Sequence, residues 1–248
     1  ADDMGRHPQT PIDSIPTWAT MLRLGRGYPR HIPTTPPPPL VPFSHDANSS
    51  VCLWTGEIVR LSSPAVAFGS DVNFARRLRC ESFKIMNFGG RTYRERLEAL
   101  PKPALGESVA TKAGRPFHAA SLIHLPLPFR WDASTLESAY RSALDMADAN
   151  GYGRIAFAST LGTMSGDSMK DVNAVAFKTL RSWIDEKGPE RSLRQIVLHT
   201  DNRHEFHWFI YWLYSFFPPP PTVEAAPTTV HDPSETLSFL QNQVPNRS

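Results

Sequence analysis

Gly151–Trp183 reads GYGRIAFASTLGTMSGDSMKDVNAVAFKTLRSW, and the way it divides decides the fold. Ile155, Ala156, Phe157 and Ala158 make an apolar run of strand length. Ser159–Ser168 follows, small and polar with two glycines, the composition of a tight turn. Beyond it Val172, Val175, Ala176, Leu180, Trp183 and Ile184 recur at helical spacing until Gly188. A strand that ends in such a turn and opens into a helix leaves backbone N–H groups pointing outward beside the positive end of the helix dipole. The unit is an α/β building block that suits an anion, although a plain connecting loop uses the same parts.

The alternation continues outward. Val51–Trp54, Ala65–Phe68, Ser108–Thr111, Ser121–Leu125, Ile155–Ala158 and Gln195–His199 are the predicted strands. Interleaved with helices, they predict an α/β fold of three layers, α/β/α, around a mixed central sheet. After Trp131, Ser134 and Glu137 have capping-box spacing. Leu136, Ala139, Tyr140, Ala143, Leu144 and Ala147 line one face of that helix, which Gly151 closes. A last helix after Asp201 turns Phe206, Phe209, Ile210, Leu213 and Phe217 inward and leaves Trp208, Tyr211 and Trp212 on the other side. That second aromatic face needs cover from the tails or from a partner, so an oligomer through this helix is one expectation. The run from Phe206 to Phe217 covers about 12 residues, short of the roughly 20 that a membrane span needs.

The 248 residues suit one medium domain with tails. Twenty-four prolines cluster at both ends. They divide the chain into a Pro-rich N-terminal extension (1–50), a central domain (51–217) and a Pro-rich linker and tail (218–248). Within the appendages, Ile15–Leu22 is expected to form a short helix docked by Trp18 and Leu22, and Ser234–Gln243 another. A net charge of +2 without a long like-charge run gives no reason to expect nucleic acid. Two cysteines, Cys52 and Cys80, lack metal-site spacing and fit a reducing, intracellular compartment. His204 and His207 have no third convergent ligand, so no metal site is expected. No signal-peptide pattern opens the sequence.

The remaining motifs fall in a telling order. Trp54-Thr-Gly-Glu-Ile-Val-Arg-Leu61 leads into Ser63-Pro-Ala-Val-Ala-Phe-Gly-Ser-Asp71, then Phe88-Gly-Gly90, Gly106–Gly114, Ser121–Leu125 and the Gly151–Trp183 unit. This succession, over about Val51–Phe217, resembles the macrodomain family, whose members bind ADP-ribose and in some cases hydrolyse its attachments. The resemblance implies roles for particular residues. Gly56-Glu57-Ile58-Val59 matches the family's adenine-binding motif, so Glu57 would accept from the adenine amine with Ile58 beside it. Phe68-Gly-Ser-Asp71 stands where the family has an Asn-rich signature, with Asp71 at the ribose-binding place. Phe88–Gly90 would be the first Gly-rich loop, continuing through Arg91 and Thr92. Leu161, Gly162, Thr163, Met164, Ser165 and Gly166 would be the second, and Thr200 would border the purine.

The departures bear on catalysis. Thr92 stands where the active hydrolases carry a water-orienting Asp, so a carboxylate for catalysis would have to be Asp71, Glu95 or Asp167. Val72–Asn87 is longer than the corresponding family segment and carries Arg76, Arg77 and Arg79, a loop expected to overhang the phosphate end. His124 matches a strand histidine of the family and reads as a core residue. Three functions stay open: a hydrolase of ADP-ribose linkages with Asp71 as base, a non-catalytic reader of ADP-ribose or of ADP-ribosylated protein, and an enzyme recruited to another nucleotide-linked or small polar substrate. No cofactor is implied.

Overall fold

The computed structural model describes residues 9–25, 36–74 and 81–221. Arg76, Arg77, Arg79 and Cys80 of the predicted overhanging loop, and the Ser234–Gln243 helix, lie outside the described residues. The elements run β1 (Thr10–Pro11), α1 (Trp18–Arg23), α2 (His45–Ser50), β2 (Val51–Trp54), β3 (Leu61–Ser62), β4 (Ala65–Ser70), α3 (Glu81–Glu98), β5 (Val109–Lys112), β6 (Ser121–Pro126), α4 (Ala133–Ala149), β7 (Arg154–Ala158), α5 (Met169–Lys187), β8 (Gln195–His199) and α6 (Arg203–Phe216). Short 3-10 turns at Ile12–Ser14, Ile58–Arg60 and Gly188–Glu190 join them.

Six strands make one mixed sheet in the order β2-β8-β7-β4-β6-β5. All neighbours are parallel except β5, which runs against β6. Each strand divides its side chains between two cores, because successive residues point to opposite faces. Ile155 and Phe157 of β7 join a core with α4, α5 and α6, while Ala156 and Ala158 join one with α3. The same split separates Ala65 and Ala67 from Val66 and Phe68 in β4. Helices on both faces make the layers α/β/α.

The stripes expected for α4 and α5 are the buried ones, with Val175 only partly covered. The cap of α4 differs from expectation. Asp132, not Ser134, is the N-cap, and its carboxylate accepts from the Ser134 amide at 3.1 Å. Asp, Ser and Thr crowd this turn, and the earlier acid reaches the free amides first. Trp212 was expected on the open side of α6. It is 8% exposed and its indole donates to the Lys170 carbonyl at 3.1 Å, so the start of α5 covers it. Trp208 and Tyr211 beside it are partly buried.

The stretch ahead of Val51 is sewn into both cores. Trp18 is buried and its indole donates to the Phe217 carbonyl at 2.8 Å. Ile12 and Ile15 pack on the α3 side, and β1 pairs with β3. Cys52 is buried, and loss of hydration pushes its thiol up to about 12.

Candidate functional site

The parallel strands end on one edge. Crossovers leave β4 toward β6 and leave β7 toward β8, so the direction of winding reverses between β4 and β7. Crevices at such reversals, at the carboxyl ends of strands, are where open α/β sheets hold ligands. Along this edge stand, in order, Trp54, His199 and Ala158, paired in register across β2, β8 and β7. From β2 to β4 is three strand spacings, about 14 Å.

A cleft of about 730 Å³ opens at the β2 and β8 end of this edge. Its lining includes Gly56, Glu57 and Ile58 from the turn after β2, Lys84 and Phe88 from α3, and His199 from β8. Gly56 is required there by a close approach: a Cβ would lie 2.1 Å from Cζ2 of Trp54. His199 is buried, and its Nε2 lies 2.6 Å from the Gly56 carbonyl. A carbonyl only accepts, so Nε2 carries the proton and Nδ1 is left buried with no hydrogen-bond partner. Burial pulls this imidazole down to about 4 despite the Gly56 bond, so it is neutral at physiological pH. Lys84 bridges Glu81, at 2.8 Å, and Asp201 at the cleft wall. Glu57 is ion-paired with Arg60.

One strand further along, Ser159–Ser168 forms the loop between β7 and α5. It is pinned on every side. Ser165 donates to the Phe129 carbonyl at 2.6 Å, and its own carbonyl accepts from Trp131 at 2.9 Å. Met164 is buried in the larger core. Thr163 packs under Gly69, where a Cβ would come within 2.7 Å of the threonine hydroxyl. Gly162 and Gly166 take positive φ values of 74° and 82°, which favour glycine. Asp167 closes the loop from within by accepting from the Gly162 amide at 2.8 Å.

Beneath these turns lies a buried carboxylate. Glu205 accepts from the hydroxyls of Ser159 at 2.7 Å and Thr200 at 2.5 Å, tying the ends of β7 and β8 to the first turn of α6. Burial pushes its carboxyl above the ordinary glutamate range, against the pull of Thr200, Ser159 and Asn173. A carboxyl raised on folding stabilises when protonated: the contribution is complete below the unfolded value, about 4.3, and is lost as pH rises through the folded one. Glu205→Gln has no such step. The melting temperature of the parent should therefore gain on that of Glu205→Gln as pH falls from about 7 to about 4.5. A constant difference across that range would show that the carboxyl is not raised.

Among the sequence-predicted residues, Glu57 and Ile58 line the cleft, and Leu161–Gly166 form the neighbouring loop. Thr200 is buried under that edge as a partner of Glu205. Phe68 is a core residue, fully buried against His124 at 4.7 Å between ring centres. His124 is buried with it and bonded to the Tyr93 hydroxyl at 2.7 Å. Gly89, Gly90, Arg91 and Thr92 do not follow the strand directly. They lie where two helical segments of α3 meet, with Gly90 out of helical conformation (φ 62°) between them. The turn from β4 into α3 comes earlier, between Ser70 and Glu81. Arg91 and Thr92 face solvent, and Glu95 is held by Arg91 at 2.7 Å on that exposed surface. Asp71 follows β4 directly and accepts from the Asn73 amide at 2.9 Å. The three carboxylates considered for catalysis thus stand on three different elements. Sequence reasoning missed Lys84, whose partner Asp201 is distant in sequence and is brought to it only by the fold. Among the described residues no group of three or more His, Cys, Asp or Glu is placed to hold a metal, and no helix is long and apolar enough to cross a membrane.

With this sheet order, the layers on both faces and the crevice at the strand ends, the chain has the macrodomain fold, in a divergent form. It is similar to the macro domain of ganglioside-induced differentiation-associated protein 2, whose crystal structure superposes with a TM-score of 0.69 at 21% identity, covering 86% of this chain and 98% of that one. A Trypanosoma brucei macrodomain in complex with ADP-ribose matches with a TM-score of 0.60 at 20% identity, over 70% and 72% of the two chains. By sequence, ganglioside-induced differentiation-associated protein 2 is 27% identical over 169 residues in mouse and 26% in human, in each case 66% of this chain. The chain spans about a third of the length of these curated relatives. No family model matches the sequence.

Proposed function

We propose that this chain binds an adenine nucleotide of the ADP-ribose class and acts as a reader of that ligand rather than as its hydrolase. The observation that carries the reading is the cleft at the end of β2 and β8, where the Glu57 carboxylate supplies an acceptor beside the apolar Ile58 and Phe88. An exocyclic amine is a donor that suits such an acceptor, and an aromatic wall suits a purine. The ADP-ribose complex formed by a protein of the same fold supports the choice of ligand class. Thr92, where the macrodomain resemblance puts the water-orienting Asp of the active hydrolases, favours binding over hydrolysis. Calorimetric titration with ADP-ribose, AMP, adenosine and NAD tests the reading. Binding in the micromolar range with adenosine contributing most of the affinity is expected, and a folded protein that takes up none of the four would overturn it.

A hydrolase is the second reading, favoured by the place of Asp71 at the carboxyl end of β4, beside the reversal of winding. As general base, Asp71 would be worth about 10²-fold or more in rate. Under the reader reading neither the parent nor Asp71→Asn releases ADP-ribose from a modified protein, and the variant binds ADP-ribose more tightly because a negative charge near the ligand is gone. A parent that turns over, and loses about 10²-fold in Asp71→Asn, would establish the hydrolase instead.

A further inference from the structure

Two buried polar atoms without partners lie on the α3 face of the sheet, toward the ends of β4 and β6. His124 is fully buried, and its Nε2 lies 2.7 Å from the Tyr93 hydroxyl. Its Nδ1 has no hydrogen-bond partner. Whichever nitrogen carries the proton, Nδ1 is left unsatisfied, as a bare acceptor or as a bare donor. Ser70, the last residue of β4, is buried as well, and its hydroxyl is also without a partner. Alternation along β4 puts Ser70 on the face of Phe68, whose ring packs on His124. Polar groups enclosed in this way are rare and unfavourable. The turn Asp71–Phe74 follows directly. Phe74 sets its ring edge-on against His124, 4.9 Å between ring centres. To do so it takes a φ of 54°, and it is the single non-glycine among the described residues with a positive φ. For a bulky side chain that is strained backbone. The bonds of the turn are local, from the Phe74 amide to the Asp71 carbonyl at 3.1 Å and from the Asn73 amide to the Asp71 carboxylate at 2.9 Å.

We infer that Phe74 is a releasable stopper over His124, which acid opens at the carboxyl end of β4. The unfavourable features share one remedy. When the ring swings out, the backbone leaves the left-handed region and water reaches the imidazole, so one movement relieves both. The apolar contact of the ring is what holds the turn closed. Burial sets the direction of the pH response. Closed, the imidazole is pulled down from its ordinary 6.5 to about 3 by loss of hydration alone; open, it regains the ordinary value. Closure is therefore fully favoured above about 6.5 and is lost progressively as pH falls below it. The opening constant at about pH 5 is about 30-fold larger than at about pH 8. The described neighbours of His124 bring no opposing charge. From α3 come the Tyr93 hydroxyl, which burial holds above the ordinary tyrosine range, and Arg96, which donates to the Lys112 and Ala113 carbonyls. β4 brings Phe68 and β5 brings Val109. On the turn, Asp71 keeps its carboxylate on the Asn73 amide. The stopper does not depend on which ligand the cleft takes.

The test follows the His124 ring by NMR in the histidine-labelled chain from about pH 8 to about pH 4, in the parent, Phe74→Ala and Phe74→Gly. Near-ultraviolet circular dichroism over the same range checks the fold. In the parent, His124 should take up its proton below about pH 6 while the dichroism is still native. In both variants the midpoint should move up by about one pH unit or more, a gain of about tenfold in proton affinity. Phe74→Gly, which holds a φ of 54° without strain, should also withstand more urea than Phe74→Ala. A His124 that is protonated only as the whole domain unfolds overturns the proposal, and so does a midpoint shared by the parent and the folded variants. Loss of the fold in both variants overturns it too, because Phe74 would then be a core residue and not a stopper. A Phe74→Ala as resistant to urea as Phe74→Gly would mean an unstrained turn, with nothing stored to drive release.

Discussion

Gly56→Ala is expected to lower the stability of the domain by about 3 kcal/mol and to abolish ligand binding in the cleft. The added methyl would stand 2.1 Å from Cζ2 and 2.5 Å from Cε2 of the Trp54 ring. That ring is 1% exposed and packed in the core under α3, so it has nowhere to swing without opening the core. The backbone has a second constraint, since the Gly56 carbonyl is the acceptor that fixes the tautomer of His199. A shift of the turn to relieve the clash would release the imidazole and misplace Glu57 and Ile58 together. Urea denaturation of parent and variant, with adenosine titration of the folded forms, gives both readings. A variant as stable as the parent would mean that Trp54 yields at little cost.

The second large effect belongs to Arg181→Met, expected to destabilise by about 2–3 kcal/mol. The guanidinium donates to the Phe216 carbonyl at 2.5 Å, to the Pro42 carbonyl at 2.7 Å and to the Asp185 carboxylate at 2.8 Å. Asp185 is about half exposed and regains water when the arginine goes. Pro42 is exposed, so its carbonyl is rehydrated as well, but the Phe216 carbonyl is not. It is left without a donor at a buried seam between α5 and the end of α6, at a cost of roughly 1–3 kcal/mol. Methionine replaces the packing volume but none of the donors. Chemical denaturation checks the figure. A loss below about 1 kcal/mol would place the Phe216 carbonyl in water rather than in the seam.

The fold was legible where side-chain period and burial coincide. Ile155 and Phe157 alternate with Ala156 and Ala158, and each pair goes to a different core. Turn chemistry was a weaker guide. Gly89 and Gly90 are breakers by composition, and the helix does break at Gly90 (φ 62°, ψ −152°), with Ile85 and Met86 buried before the break and Tyr93 and Leu97 after it. Helix resumes directly after it, because a glycine costs only about 1 kcal/mol and the flanking residues pack. Half of the candidate site was visible for a similar reason. Glu57 and Ile58 sit next to a strand end that hydrophobic periodicity locates. Lys84 reaches Asp201 across 117 positions of sequence, and a contact of that span has no local signature.

The seam joining Trp18, Asn48 and Phe217 has a consequence for how this domain is held. Asn48 donates to the Phe217 and Pro218 carbonyls at 3.2 and 2.9 Å, immediately before β2 begins. At the other end of the described chain, the Ile12 carbonyl accepts from Gln195, the first residue of β8. Both ends therefore depart from the edge where strands start, while the cleft lies where they finish. The 14 residues of α6 measure the distance between the two, about 20 Å. A label coupled at either end of the described residues would therefore enter at the edge opposite the cleft.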